Sequence, residues 1–249
     1  RQLTAGNPAW DTQPAFSPDG RTLAYLAMQV PDFEADRYRI VLQPWPEGPK
    51  RVLGEAWARS PSSLAWSPDG RTLYATADHL GQHSLFALDV ATGAVRTVVE
   101  QGTVRAAEVG PERLVLAHDC LTSPTELYSV RPDGGDRRAL TAINADRLAA
   151  VRMGEPEQFT FKGAGGDLVH AYVVKPVDFD PAKRYPVALL IHGGPQGSFG
   201  NDFHYRWNPQ AYAGAGYATL AVDFHGSTGY GLAFQHAIRD DWGGKPLED

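Results

Sequence analysis

In the first part of the chain, apolar residues come in short runs separated by turn residues. Leu73-Tyr74-Ala75-Thr76-Ala77, Leu85-Phe86-Ala87-Leu88 and Val95-Arg96-Thr97-Val98-Val99 follow one another, with Trp66 ahead of them. Runs of this length, bounded by Gly, Pro and Asp, predict antiparallel strands. The pattern also repeats. Ala15-Phe16-Ser17-Pro18-Asp19-Gly20-Arg21-Thr22-Leu23 returns almost unchanged, 50 residues later, as Ala65-Trp66-Ser67-Pro68-Asp69-Gly70-Arg71-Thr72-Leu73. In each copy Pro suits the first central position of a type I turn, Asp the second, and Gly the positive-φ position that closes a bulged hairpin. A degenerate third copy runs through Arg113–Ala117, Glu126–Val130, the Pro132–Gly135 turn and Arg137–Thr141. Each copy reads as a unit of four short strands. Arg1-Gln2-Leu3-Thr4 resembles the closing Arg138–Thr141 and reads as the outer strand of a preceding unit. Three units cannot close a radial ring, which takes about four to eight.

From about Val151 the pattern changes. Gln158–Lys162 and Leu168–Val174 flank a Gly-rich turn and predict a hairpin. Tyr185–Ile191 is a near-continuous apolar run, as in a strand covered on both faces by helices. Tyr205–Gly214 predicts a helix ending at Gly214 or Gly216, and Tyr217–Val222 another buried strand. Strands alternating with helices predict an α/β sheet. Lys245-Pro246-Leu247-Glu248-Asp249 carries Pro and acids where a helix begins.

Composition excludes more than it assigns. A net charge of -6 over 249 residues, with 23 basic against 29 acidic side chains, provides no basic stripe for a nucleic acid or an anionic membrane. No apolar run approaches the roughly 20 residues that span a bilayer, and the first residues do not form a signal peptide. The expectation is a soluble protein, cytoplasmic or periplasmic, with self-association left open. The single Cys120 reads as a small buried hydrophobe.

The chemistry concentrates at two strand ends. His192-Gly193-Gly194-Pro195 follows the strand ending at Ile191. Two glycines there let the backbone turn tightly and present N–H groups to a ligand, as in an oxyanion loop, although Gly-Gly after a strand is also an ordinary turn. Asp223-Phe224-His225-Gly226-Ser227-Thr228-Gly229-Tyr230-Gly231 follows the next buried strand. Its His225–Gly229 stretch mimics a Gly-x-Ser-x-Gly nucleophile elbow, but His225 stands where the strained turn needs glycine. No Asp and His follow Ser227 at triad separations, so the segment reads as a glycine-rich turn shaping a site. Ser198 lacks the same glycine.

Together, the Ser-Pro-Asp-Gly units, His192–Pro195, His225–Gly231 and Asp241-Trp242-Gly243-Gly244 resemble the prolyl-oligopeptidase family of serine peptidases, in the branch of acylaminoacyl-peptidases and dipeptidyl-peptidase 5. His225 stands where that family commonly has Arg, which puts a salt-bridging role there in doubt. The resemblance implies β-propeller blades followed by an incomplete α/β-hydrolase domain: residues 1–152 as C-terminal blades, 153–249 as the N-terminal part of the catalytic domain. It implies that the catalytic Ser, Asp and His lie beyond Asp249. The Gly194 N–H is then the oxyanion donor, with His192 and Gly193 fixing the loop. Pro195, Gln196 and Tyr230 border the substrate cleft, together with the Gln196–Phe199 stretch. The implied activity is exopeptidase cleavage of short peptides, as a dipeptidyl- or acylaminoacyl-peptidase, without cofactor or metal. These residues alone are expected to be inactive. The alternative is a propeller binding scaffold with a non-catalytic hydrolase-like domain.

Weaker signals have plain readings. Asp78, His79 and His83 read as a solvated hairpin loop lacking a closed set of metal ligands. Asp32, Glu34, Asp36 and Arg37 read as a hydrated insertion, with recognition of a substrate amine or carboxylate as the sharper option. His204-Tyr205-Arg206-Trp207 reads as helix packing.

Overall fold

The computed structural model describes residues 2–249. Its architecture is mostly antiparallel β. Strands β1 (Asp11–Phe16), β2 (Thr22–Ala27), β3 (Arg39–Pro44) and β4 (Arg51–Leu53) form one sheet in sequence order. A second unit holds β5 (Ala65–Trp66), β6 (Thr72–His79), β7 (Gln82–Asp89) and β8 (Val95–Val99). A third holds β9 (Thr103–Val109), β10 (Leu114–Cys120), β11 (Ser123–Val130) and β12 (Arg138–Ala139). One parallel pair, His83 with Thr103, joins these two units into an eight-stranded ladder. Gln2–Thr4, expected as an outer strand, pair with nothing as a strand, and Arg1 lies outside the described residues. Leu3 instead packs against Leu23, Tyr25, Ala27 and Val41.

The repeated turn shows why its sequence recurs. Ser17 Oγ donates to Asp19 Oδ1 at 2.6 Å, the same oxygen accepts the Arg21 N–H at 3.0 Å, and Ser17 Oγ accepts the Thr22 N–H at 2.9 Å. Ser67, Asp69, Arg71 and Thr72 reproduce these bonds at 2.6, 3.0 and 2.9 Å. Gly20 and Gly70 sit at φ +69° and +68°. Ser and Asp thus satisfy turn amides that the strands leave unpaired.

The units stack through their faces. Ala24, Leu26, Ile40, Leu42 and Leu53 of the first pack against Leu73, Ala75 and Leu88 of the second. Tyr74, Leu85, Ala87, Val98 and Val99 of the second pack against Val104, Leu114, Leu116 and Val130 of the third. Neighbouring residues of β6 therefore point into different cores, and β6 is buried on both faces although it is antiparallel.

After α1 (Ala145–Ala149), a four-stranded sheet takes the order β13 (Pro156–Lys162), β14 (Leu168–Val174), β16 (Ala218–Asp223), β15 (Val187–Leu190). β15 and β16 are parallel; the other pairs are antiparallel. The crossover between the parallel strands carries α2 (Pro209–Gly214), and α3 (Leu232–His236) and α4 (Lys245–Glu248) follow β16.

Three expectations need correction here. The helix expected over Tyr205–Gly214 begins only at Pro209, because Asn208 caps it: its Oδ1 accepts the Gln210 N–H at 2.9 Å. Residues 204–207 form a turn in which His204 Nδ1 accepts the N–H groups of Arg206 and Trp207, so they do not pack as helix. β15 is also not covered on both faces. Val187, Leu189 and Ile191 are 63, 53 and 71% exposed. α2 lies on the opposite face, where Thr219 Oγ1 donates to Pro209 O at 3.2 Å. Among the described residues no strand pairs with the far edge of β15.

Candidate active site

β15 delivers the chain into the His192–Gly197 loop. At Gly194, φ is +133°, and a Cβ would stand 2.4 Å from the Gln196 nitrogen, so the loop's path requires glycine there. Gly193 is different: a Cβ on it would meet nothing within 4 Å. Among the described residues the N–H groups of Gly193 and Gly194 donate to no protein acceptor, and both glycines are exposed. Exposed, unspent amides at a strand's carboxyl end can receive a polarised oxygen.

Beneath the loop lies a buried polar network. His192 stacks on Phe224, ring centroids 4.3 Å apart, and its side chain is 6% exposed. With His192 Nδ1 directed to Gly193 O at 2.9 Å, Nε2 accepts the Ser227 hydroxyl at 2.8 Å. Asp223 Oδ1 lies 3.7 Å from the same Nε2. Ser227, His192 and Asp223 superficially suggest a triad, but the carboxylate faces the nitrogen that the serine already uses. In a working triad it faces the other one. Ser227 is also fully buried, a second reason beyond the missing elbow glycine that it is no nucleophile.

Asp223 is the centre of this network. Its carboxylate accepts Ser198 Oγ at 2.6 Å, the Tyr230 hydroxyl at 2.5 Å and the Phe199 N–H at 2.8 Å. Burial pushes its carboxyl above the ordinary carboxylate range, with these hydrogen bonds opposing. Burial, then the neighbouring Asp223 charge, push the Tyr230 phenol up, so it stays a donor at any ordinary pH. The Tyr230 hydroxyl is therefore held by Asp223, and His170 lies against its ring at 4.8 Å. Gln196 instead lines a cleft of about 720 Å³, facing Trp10, Phe33, Glu34 and Trp242. The structure thus gathers His192, Gly193, Gly194 and Pro195 in one loop, with Gln196 and Tyr230 directed to different surroundings. Asp223 was missed as a site residue. Its signal was an acid closing an otherwise apolar buried strand.

Other side chains differ from the sequence reading. Asp36 and Arg37 are buried, not hydrated: Asp36 Oδ2 accepts the Gln29 and Val30 N–H groups at 2.8 and 3.0 Å, and Arg37 donates to Glu55 and Trp57. Asp32 and Glu34 do line the large cleft. Asp78, His79 and His83 belong to strands, not to a solvated loop, because the β6–β7 turn is only Leu80-Gly81. No group of metal-ligating side chains occurs among the described residues. His225 does face carboxylates: Nδ1 lies 2.8 Å from Asp249 Oδ2 and Nε2 3.1 Å from Asp167 Oδ2, so the imidazole lies between the two. No helix among the described residues is long and apolar enough to cross a membrane.

Comparison with known proteins shows what the chain resembles. The profile of the prolyl oligopeptidase family matches residues 203–249. Dipeptidyl-peptidase 5 of Schizosaccharomyces pombe is 36% identical over 242 residues, covering 96% of this chain and 35% of that protein. Dipeptidyl-peptidase 5 of Arthroderma otae is 37% identical over 245 residues, covering 96% and 34%. Among solved structures, Pyrococcus horikoshii acylaminoacyl peptidase superposes with a TM-score of 0.79 at 24% identity, covering 93% of this chain and 35% of that one. Porphyromonas gingivalis dipeptidyl peptidase 4 superposes with 0.67 at 21% identity, covering 90% and 32%. The chain spans about a third of the length of these relatives. With sequence likeness to dipeptidyl-peptidase 5 along nearly all its length and a family match over residues 203–249, the segment that follows the candidate loop, the chain is similar to the prolyl oligopeptidase family.

Proposed function

We propose that this chain forms part of a serine exopeptidase that removes dipeptides or acylated residues from the N-termini of short peptides, and that the His192–Gly197 loop supplies one oxyanion donor. The three stacked units are then blades of a propeller over residues 1–152, and the sheet over 153–249 is the first part of an α/β-hydrolase domain. The relatives named as dipeptidyl-peptidases and an acylaminoacyl peptidase support the substrate class. The observation that carries the reading is the pair of exposed, unspent amides at Gly193 and Gly194, at the carboxyl end of a parallel strand.

In this reading a serine from a following segment attacks the substrate carbonyl carbon while a histidine takes its proton. The Gly194 N–H donates to the oxygen as it becomes an oxyanion. Collapse expels the amine, and water then hydrolyses the acyl-enzyme. The attacking oxygen must come within about 3 Å of the carbon whose oxygen sits on Gly194. The far edge of β15, with which no strand among the described residues pairs, is where a further strand would bring it.

A fluorophosphonate applied to the full-length protein is expected to label one serine beyond Asp249, and the 249-residue chain to show no peptidase activity. Labelling of Ser227, or of no serine, would overturn the reading and favour a binding scaffold.

A further inference from the structure

The β6–β7 hairpin couples the repeated units to the second sheet. Its two turn residues, Leu80 and Gly81, both sit at positive φ, +52° and +75°, as a type I′ turn requires. The tip is gripped from several sides. Gln158 Nε2 donates to Leu80 O at 2.7 Å, the Asn201 N–H to Gly81 O at 2.7 Å, and the Leu80 N–H to Gly229 O at 3.2 Å. A Cβ on Gly229 would stand 3.0 Å from the Asp78 carbonyl carbon and the His79 nitrogen, so the glycine-rich turn rests directly on the β6 backbone.

From this contact, hydrogen bonds run without a break to the candidate loop. Asp78 Oδ2 accepts the Thr228 hydroxyl at 2.6 Å, and the Thr228 N–H donates to Gly197 O at 2.8 Å. The adjoining Ser227 hydroxyl donates to His192 Nε2. Asp78 Oδ1 is itself held by His83 Nδ1 at 2.7 Å. Burial opposes charge on Asp78, yet the His83 and Thr228 bonds hold its carboxyl below the ordinary range, so it accepts as a carboxylate at neutral pH. Among the described residues, the backbone from Gly193 to Gly197 makes one hydrogen bond outside the loop, and Thr228 provides it.

We propose that Asp78 is a positioning residue: it fixes Thr228, and through the bonds of Thr228 and Ser227 to Gly197 and His192 it sets where the Gly194 amide stands. The proposal rests on the oxyanion reading of the loop. An amide displaced by about 1 Å costs on the order of a hundredfold in rate, so a loop whose backbone is this sparsely tethered is sensitive to its one outside backbone bond.

In the full-length protein, Asp78→Ala and Thr228→Val are expected to lower kcat about tenfold to a hundredfold with KM changed less than about twofold, and to slow fluorophosphonate labelling of the nucleophile in parallel. Thr228→Ser, which keeps the hydroxyl, is expected to restore the rate. The double variant Asp78→Ala/Thr228→Val should be no slower than the worse single one. Retention of kcat within about twofold in both single variants, or Thr228→Ser as slow as Thr228→Val, would overturn the proposal. Hydrogen exchange in the 249-residue chain separates this from the underlying reading. Asp78→Ala should speed exchange of the Thr228 amide whether or not the protein is a peptidase, and unchanged exchange there overturns the coupling. A full-length protein with no labelled serine overturns the oxyanion reading alone.

Discussion

His225 and Asp249 are joined twice: Asp249 Oδ2 accepts the His225 backbone N–H at 2.7 Å and stands 2.8 Å from the His225 Nδ1. Neither side chain reaches solvent. Asp249 Oδ1 also accepts the Ala164 N–H at 2.8 Å, and the His225 ring stacks on Phe234 at 4.3 Å. This pair therefore ties the end of α4, the turn before β14 and the glycine-rich turn after β16 into one unit.

His225→Ala is expected to destabilise the chain by roughly 1–3 kcal/mol, the usual cost of taking one hydrogen-bond partner from a buried acceptor. His225→Ala and Asp249→Ala should be clearly non-additive in urea unfolding, with a coupling of about 1–3 kcal/mol. Additive losses would mean that the two side chains stabilise the fold independently.

The interface between the first and second units makes a simpler prediction. Leu73 is fully buried among Leu26, Leu42 and Leu88, and replacing it with alanine leaves a cavity that two sheets cannot both close. Leu73→Ala is expected to cost about 2–5 kcal/mol by denaturant unfolding. A loss below about 1 kcal/mol would mean that the stacked faces are looser than their burial implies.

The sequence made the repeats legible because each turn must satisfy its own amides locally, and Ser-Pro-Asp-Gly does so within six residues. Long-range relationships were less visible. Asp78 looked like part of a loop because its partner Thr228 is 150 residues away, and no spacing rule links them. β15 looked doubly covered because an apolar run reports what a strand needs, not what lies on it. The glycines of the candidate loop were legible from composition, but not which of them is indispensable. That depends on the φ of +133° at Gly194 and the position of the Gln196 nitrogen.

Glu126 supplies a pH dependence. Its carboxylate accepts the Thr141 hydroxyl, the Asn144 N–H at 2.7 Å and Asn144 Nδ2 at 2.9 Å, tethering the segment that leads from the third unit to α1. These bonds, that of Thr141 first, lower its pKa from 4.5 to about 2. A carboxyl lowered in the folded state stabilises it fully above the unfolded value and loses that contribution as pH falls through the folded one. Stability is therefore expected to decline between pH 4.5 and about 2 by an amount that Glu126→Gln removes. Urea midpoints of the two proteins measured across that range should converge toward the acid end; parallel curves would show that Glu126 is not linked to folding.

The two loop glycines separate the chemistry from the fold. Gly193→Ala adds a methyl group into open space, so the loop keeps its path and the full-length protein is expected to keep its fluorophosphonate labelling rate within about threefold. Gly194→Ala forces a Cβ against the Gln196 nitrogen at a φ that L-residues avoid. The loop must then refold locally and take the donor amide with it. Labelling is expected to slow about 10²–10³-fold, the usual loss for one oxyanion donor. Because Gly193 and Gly194 are exposed and belong to none of the buried clusters, unfolding midpoints should barely change in either variant. Equal labelling rates for the two variants would mean that the Gly194 amide carries no part of the reaction.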